Sequence, residues 1–397
     1  MQYLVACNWD FDLLGKIDYP EVTSVFAGLP NTVVSGGRPF QQIQRVSASD
    51  VKRYISLVHG KNWSFDFNLN ASCTANRELI PSGFKDITKY LEWLCEAGVD
   101  AVTIANTNLI GIVKKNFPKL RVNVSTFQKI TEVAQAQRFE ELGADLIMLS
   151  EHVNRDFKAL AAIRKAVRCK LALVANVGCI YDCPNAHTHA NGIAHSGARG
   201  EKSLLAEPCL LYCFSKRLES QEELVKIRFI RPEDVSHYEE VGIDVLKIID
   251  RSSTTDVLEE RVKAYCTRSF DGNLLLLLGQ MMDVKRSTSR AKEIAVRNIL
   301  TRPSLASLRS GKMARDAMGL FQHSLHELLY LDNKKVPENF VANYKERDCR
   351  ASDCRTCGNC KAVAQKAVRV LDEGLLNDTL QRAKQGLEQI HDGSFLY

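Results

Sequence analysis

Between residue 3 and about residue 250 the sequence alternates short β-rich runs with amphipathic stretches, and this alternation constrains the fold more than any other feature. The strand-like runs are YLVAC, NTVVSGG, SFDFNLNAS, AVTIAN, RVNVST, LIMLS, LALVANVG, IRFIRP and VLKIID. Between them, as in DITKYLEWLCEAG, residues Ile87, Tyr90, Leu91 and Leu94 share one face at helical spacing. Gly98, Gly143 and Gly242 stand where such helices give way to the next strand, the place for a left-handed C-cap. Strand-then-helix units in series build a parallel sheet. Eight or nine of them in this length predict an α/β fold of the (β/α)8 TIM-like barrel type over residues 1–270, in preference to an open doubly wound sheet. The count is one strand too many, so IRFIRP or an early run is expected outside the barrel. No internal repeat or low-complexity tract is read.

Composition narrows the setting. The chain has 397 residues, 45% hydrophobic and 25% charged, enough for one large domain or two smaller ones. The opening MQYLVACNWDFD lacks a basic leader region, and the longest apolar run, LLLLLGQMM, is too short to cross a bilayer. A cytoplasmic protein without membrane association is expected. In that reducing compartment the 13 cysteines are not expected to form disulfides, and grouped ones point to metal.

Two groups stand out. Cys179 and Cys183 form a C-x3-C pair directly after a strand, and Cys209 with Cys213 forms a second. A radical-SAM arrangement would need a third cysteine where Ala186 and Lys216 stand. Four thiolates in two pairs suit a 4Fe-4S cluster better than structural zinc, which favours the tighter C-x2-C knuckle. The loop carrying it is taken as residues 179–224. His187, His189 and His195 in that loop read equally as ligands, proton donors, substrate contacts or surface side chains. Cys349, Cys354, Cys357 and Cys360 form a C-x4-C-x2-C-x2-C run, which resembles ferredoxin-type spacing and predicts a second cluster.

In a barrel the active site lies at the C-terminal strand ends. There the sequence places Asn8, Ser35, Arg38, Asn68, Asn70, Asn106, Ser125, Thr126, Ser150, Glu151, His152, Asn176, Arg231, Asp250 and Arg251. Any one of them reads as a helix cap. Together they predict a polar cup. No nucleophile elbow, P-loop, dinucleotide fingerprint or HExxH zinc motif occurs.

Past residue 270 the strand signal stops, and residues 271–397 read as a mainly helical, cysteine-rich extension. Residues 284–315 are strongly basic and read as two helices broken at Pro303, either a solvated face or a contact for RNA or another anionic partner. A final amphipathic helix is expected from about Ala362 to His391.

The Cys179 loop, the run YLEWLCEAGVDAVTIANTNLIGIVKKNFPKLRVNVST and the segment FIRPEDVSHYEEVGIDVLKIIDR resemble the collagenase-like peptidase family U32 over about residues 3–270. Despite that name, the better-understood members are cytosolic, oxygen-independent hydroxylases acting in anaerobic ubiquinone synthesis or on tRNA and rRNA bases. They carry a 4Fe-4S cluster on four cysteines, and several use prephenate as the hydroxyl source. The resemblance implies a cluster on Cys179, Cys183, Cys209 and Cys213, with Cys73 as a substitute ligand. It also implies a pocket lined by Asn70, Asn106, Ser125, Glu151 and Asn176, and carboxylate contacts from Arg38, Arg231 and Arg251. Glu151, Asn176 and His187 are taken as catalytic. LVANVGC departs from the family's usual signature before the first loop cysteine, and the run at residues 349–360 lies outside the resemblance.

Three functions remain in play. The first is an iron-sulfur enzyme hydroxylating a small molecule or an RNA base, alone or with a partner subunit. The second is a peptidase using a Cys and a His of the 179–195 loop. The third is a cluster-bearing RNA-binding or partner subunit using the basic segment.

Overall fold

The computed structural model describes residues 1–38, 43–198, 208–279 and 323–394. Its centre is a closed barrel of eight parallel strands in sequence order: β1 Gln2–Ala6, β2 Val22–Ala27, β3 Ser64–Leu69, β4 Ala101–Ile104, β5 Arg121–Val124, β6 Leu146–Met148, β7 Lys170–Val174 and β8 Val245–Ile248. β8 closes the ring on β1 with Val245 opposite Gln2 and Ile248 opposite Val5. Strands such as β4 are buried along their whole length, as expected where helices cover a parallel sheet from outside.

The surplus strand is resolved twice over. IRFIRP is not a strand: β7 already bonds β6 and β8, so residues 227–230 run beside the barrel as a loop, with the Ile230 N–H donating to the Ala175 carbonyl at 2.7 Å. They are apolar because they are buried as a loop. NTVVSGG is also outside, and the second strand is instead VTSVFA at Val22–Ala27. With both edges of β2 taken by β1 and β3, residues 31–37 fold over the barrel mouth. Gly36 permits this approach, since a Cβ there would stand 3.3 Å from the Asn68 carbonyl oxygen and 3.2 Å from Arg251 Nη1.

Contrary to the sequence expectation, a short repeat runs through the barrel. Gly98-Val99-Asp100, Gly143-Ala144-Asp145 and Gly242-Ile243-Asp244 each precede an even-numbered strand. The three glycines have φ of +89°, +91° and +85°, and each closes its helix with a pair of Schellman bonds, such as Gly98 N–H to the Cys95 carbonyl and Val99 N–H to the Leu94 carbonyl, both at 3.0 Å. The aspartates then accept from backbone N–H groups of the preceding strand, Phe65, Val122 and Leu171, at 2.7–2.8 Å. Each also meets a cation-forming side chain of a preceding helix: His59, Lys114 or Arg164. This module fixes the register of alternate strands at the end opposite the active-site mouth.

The C-terminal extension is helical with one small sheet. β9 Leu329–Leu331 pairs antiparallel with β10 Val368–Val370. The expected single helix from Ala362 is therefore two, Asn359–Ala367 and Glu373–His391. Two β-branched residues in VRV favour the intervening strand, and Asp372 restarts the helix by accepting from the Leu375 N–H at 2.9 Å. The last helix packs along the helix Pro208–Glu219, where Lys384 reaches Glu219 at 2.7 Å. The basic segment 284–315 lies outside the described residues. Among those described, no helix is long and apolar enough to cross a membrane.

Candidate functional site

A cavity of about 80 Å³ opens at the C-terminal ends of the strands, bounded by Phe26, Arg38, Asn68, Asn70, Ser125, Glu151, Cys179, Lys247, Asp250 and Arg251 among others. Its floor comes from inward-facing side chains of the barrel. Asp66 on β3 accepts from the Thr103 hydroxyl at 2.6 Å and from Asn123 Nδ2 at 3.0 Å, and Lys247 on β8 lies 3.8 Å from the centre of the Phe26 ring. Period-2 alternation places these groups inward, as in SFDFNL, where Asp66 and Asn68 share one face.

The mouth is rich in buried cations. Arg38 clasps Asp250 through Nη2–Oδ2 at 3.1 Å and Nε–Oδ1 at 3.4 Å. Burial opposes ionisation of Asp250, yet Arg38 overrides it and holds the carboxyl down to about 2. Arg251 Nη2 donates to the Gly36 carbonyl at 2.6 Å, while burial and then Arg38 work against its charge. Burial likewise pulls Lys247 down to about 8, against the attraction of Asp66. Among the described residues, Arg251 Nη1, Asn68 Oδ1 and Asn70 Oδ1 on the lining, and Asp66 Oδ1 beneath it, are buried without a hydrogen-bond partner. Buried groups of this kind are normally satisfied, so the mouth has unmet capacity for a polar ligand.

On the far wall Glu151, buried at the end of β6, pairs with Lys129 and accepts from Thr126 at 3.4 Å. Burial would raise its pKa, but Lys129 and then His152 bring it below the ordinary carboxylate value. Glu151 also faces Cys179, whose thiol is pushed up to about 12 by burial and by that carboxylate.

Cys179 begins the thiol group. Cys213 lies within electrostatic reach of both Cys179 and Cys183, as do Lys129 and Arg217. Arg217 holds the loop by donating to the Gly178 carbonyl and approaches Cys213 Sγ at 3.7 Å. Cys209 is buried one turn earlier on the same helix as Cys213, the i, i+4 spacing that puts both on one face. Two thiol pairs backed by two cations fit, in donor chemistry and neighbourhood, a thiolate-ligated cluster. Among the described residues no three His, Cys, Asp or Glu side chains already converge as a metal-binding group.

The other sequence candidates are spread more widely. Asn70, Arg38, Ser125, Glu151 and Arg251 line the cavity. Asn106 caps its helix by accepting from the Leu109 N–H at 3.1 Å and donates to Glu78 at 2.9 Å, on the rim rather than in the cavity. Asn176 is wholly buried and clasps the end of β8: its Oδ1 accepts from the Ile249 N–H at 2.8 Å, and its Nδ2 donates to the Ile249 and Leu277 carbonyls. Arg231 is turned away into a pair with Asp234, 2.7 Å, and donates to the Val336, Pro337 and Glu338 carbonyls. Its nearest carboxylate is three residues along its own helical turn, which draws it from the mouth. His187 is exposed on the helix Ala186–Ser196, while His189 and His195 are partly buried there. Cys73 sits in the loop after β3, accepting from the Ala75 N–H. Lys129, Lys247 and Asp66 escaped the sequence reading, although Lys247 inside the buried run VLKIID is a charge that only an inward-facing role explains.

Residues 21–269, from the second barrel strand through the Cys179 loop and the eighth strand, match the model of peptidase family U32. The chain belongs to that family. A relative from Methanocaldococcus jannaschii, "uncharacterized protease MJ1657", is 30% identical over 350 residues, covering 88% of this chain and 90% of the relative. Among solved structures, the U32 peptidase Mk0906 is 19% identical, covering 63% of this chain and 93% of its own, with a TM-score of 0.48. The family match stops short of the C-terminal thiols. The Cys179 loop, the paired cysteines and the polar cup apart from Asn8 fall within it.

Proposed function

We propose that this U32 protein is an iron-sulfur enzyme that binds an anionic small molecule in the barrel mouth and carries out oxygen-independent hydroxylation, with a prephenate-like dicarboxylate as oxygen donor and a small molecule or an RNA base as acceptor. The observation that carries this reading is the position of Cys179, which belongs both to the cavity lining and to the thiol group. A cluster held by Cys179, Cys183, Cys209 and Cys213 would supply redox and Lewis-acid chemistry at the cavity wall.

The protein's own residues then have distinct tasks. Arg38 and Arg251 present guanidinium groups to a carboxylate, and the unpartnered Arg251 Nη1 is the donor still available. Lys247 adds a compact positive charge on the floor. Glu151, kept ionised by Lys129, is placed to accept a proton at the thiol side of the cavity. Arg251, Lys247 and Asp250 are buried, which strengthens the interactions of these charges.

The printed name of the relative and of the family favours a peptidase instead. The mouth does not support it. Among the described residues its lining includes Cys179 but no histidine, so no Cys–His pair for a peptidase stands in the cavity.

The two readings separate in an anaerobic assay. Wild type and Cys179→Ser are incubated with prephenate and either cellular RNA or a metabolite extract, and in parallel with denatured collagen. Mass spectrometry showing products that gain one oxygen atom with wild type only supports the hydroxylase. Collagen cleavage that survives both Cys179→Ser and an iron chelator contradicts it.

A further inference from the structure

The C-terminal cysteine run is not absorbed by the barrel chemistry, yet the fold sets it against the barrel-mouth loop. Tyr181 stands between Cys179 and Cys183, and the Arg228 guanidinium lies over its ring, 3.9 Å from the centre. The Cys349 thiol also lies within electrostatic reach of Arg228. The other thiols are close by: Cys349 and Cys360 both act electrostatically on Cys354. Two further polar groups point at sulfur, Arg347 Nη1 at Cys357 at 3.8 Å and the Tyr344 hydroxyl at Cys360 at 3.7 Å.

The local backbone suits ligation. Asp353 caps the single turn Cys354–Cys357 by accepting from the Arg355 N–H at 2.9 Å, and Gly358 at φ +63° reverses the chain into the helix Asn359–Ala367 that carries Cys360. Cys349 and Cys360 are half-buried toward the barrel, whereas Cys354 and Cys357 are exposed. This gives an anchored side and an open side. The open turn is four residues long and ends on the glycine.

We propose that Cys349, Cys354, Cys357 and Cys360 bind an iron-sulfur cluster of their own, set against the Cys179 loop through Arg228 and Tyr181. Four thiols within twelve residues leave no room for the two separated knuckles of tetrahedral zinc, and they match the dense cysteine runs of ferredoxin-type sites. Donors aimed at sulfur are the groups that orient ligands and set the potential of such clusters. Arg228 meets Tyr181 of the Cys179 loop on one side and the field of Cys349 on the other, so it ties the C-terminal run to that loop. This site deepens the hydroxylase reading but rests on separate residues.

The test uses the full chain purified without oxygen as wild type, Cys354→Ser/Cys357→Ser and Cys179→Ser, with iron, acid-labile sulfide and zinc measured per chain. The two cysteines are exposed, so the double variant should match metal-free wild type in melting temperature. It should lose about four iron and about four sulfide per chain. That loss supports the site whether or not Cys179→Ser also loses iron; the barrel reading alone fails if Cys179→Ser loses none. A double variant that keeps all its iron and sulfide, or that loses zinc in their place, overturns the C-terminal cluster.

Discussion

Arg38, from the loop after β2, and Asp250, at the end of β8, meet at 3.1 Å across the barrel mouth although 212 residues separate them. Both are largely buried, with 13% and 7% of their side chains exposed. The contact pins the 31–38 loop over the cavity and leaves Arg38 facing it. Removing one partner of such a pair leaves a buried charge uncompensated. Arg38→Gln should therefore cost about 3–5 kcal/mol in denaturant unfolding, and the double variant Arg38→Gln/Asp250→Asn should cost less than the two single changes added together. Additive losses would show that the pair is not coupled.

Lys247 makes anion binding depend on pH. Its folded value of about 8 lies below the ordinary 10.5, so the cavity loses a positive charge as pH rises through 8. Affinity for a dicarboxylate probe such as malonate, followed by calorimetry, should weaken over that range, and Lys247→Arg should hold its affinity to higher pH. The stability consequence has the opposite sense. Below pH 8 burial of the ammonium is a cost, and because the unfolded chain holds the proton up to about 10.4, stability from this group rises with pH between those values.

Asn176 is a structural clasp rather than a reacting group. Asn176→Ala strips partners from the Ile249 N–H and from the Ile249 and Leu277 carbonyls. A loss of about 3 kcal/mol is expected, read as a lower urea midpoint at an unchanged slope. An unchanged midpoint with lost activity would instead return Asn176 to the chemistry.

Arg231 ties the C-terminal segment to the barrel. Arg231→Met should speed limited proteolysis near residues 336–348 while leaving malonate affinity within about twofold of wild type. A large loss of affinity would place Arg231 in the substrate site after all.

The barrel was legible because its signals are local. Amphipathic helices, glycine caps and short β-rich runs each report on a few residues, and Gly98, Gly143 and Gly242 all cap helices. What failed depends on who already holds a strand's edges. NTVVSGG and IRFIRP have strand composition, but β2 and β7 have both neighbours in place. The threefold Gly-x-Asp pattern was present in the sequence and went unread because its spacing, 45 and then 99 residues, is uneven: the Cys179 loop lengthens the third unit. At the site, residues projecting from strand ends were found by position alone. Arg231 and Asn176 were misplaced because their partners, Asp234 and the Ile249 backbone, are set by tertiary contacts that no spacing rule reveals. Lys247 and Lys129 were overlooked for the converse reason: a lysine reads as surface unless the strand around it is known to face inward.

The most direct test of the central claim is the iron and acid-labile sulfide content of the anaerobically purified chain, compared with Cys179→Ser and Cys213→Ser, alongside the visible absorption of each. The barrel-mouth cluster predicts a brown wild-type protein, and it predicts that each single variant loses about four iron and about four sulfide per chain while the C-terminal complement remains. Wild-type protein carrying no sulfide, or variants that match it in iron and sulfide, would contradict the cluster and with it the hydroxylase reading.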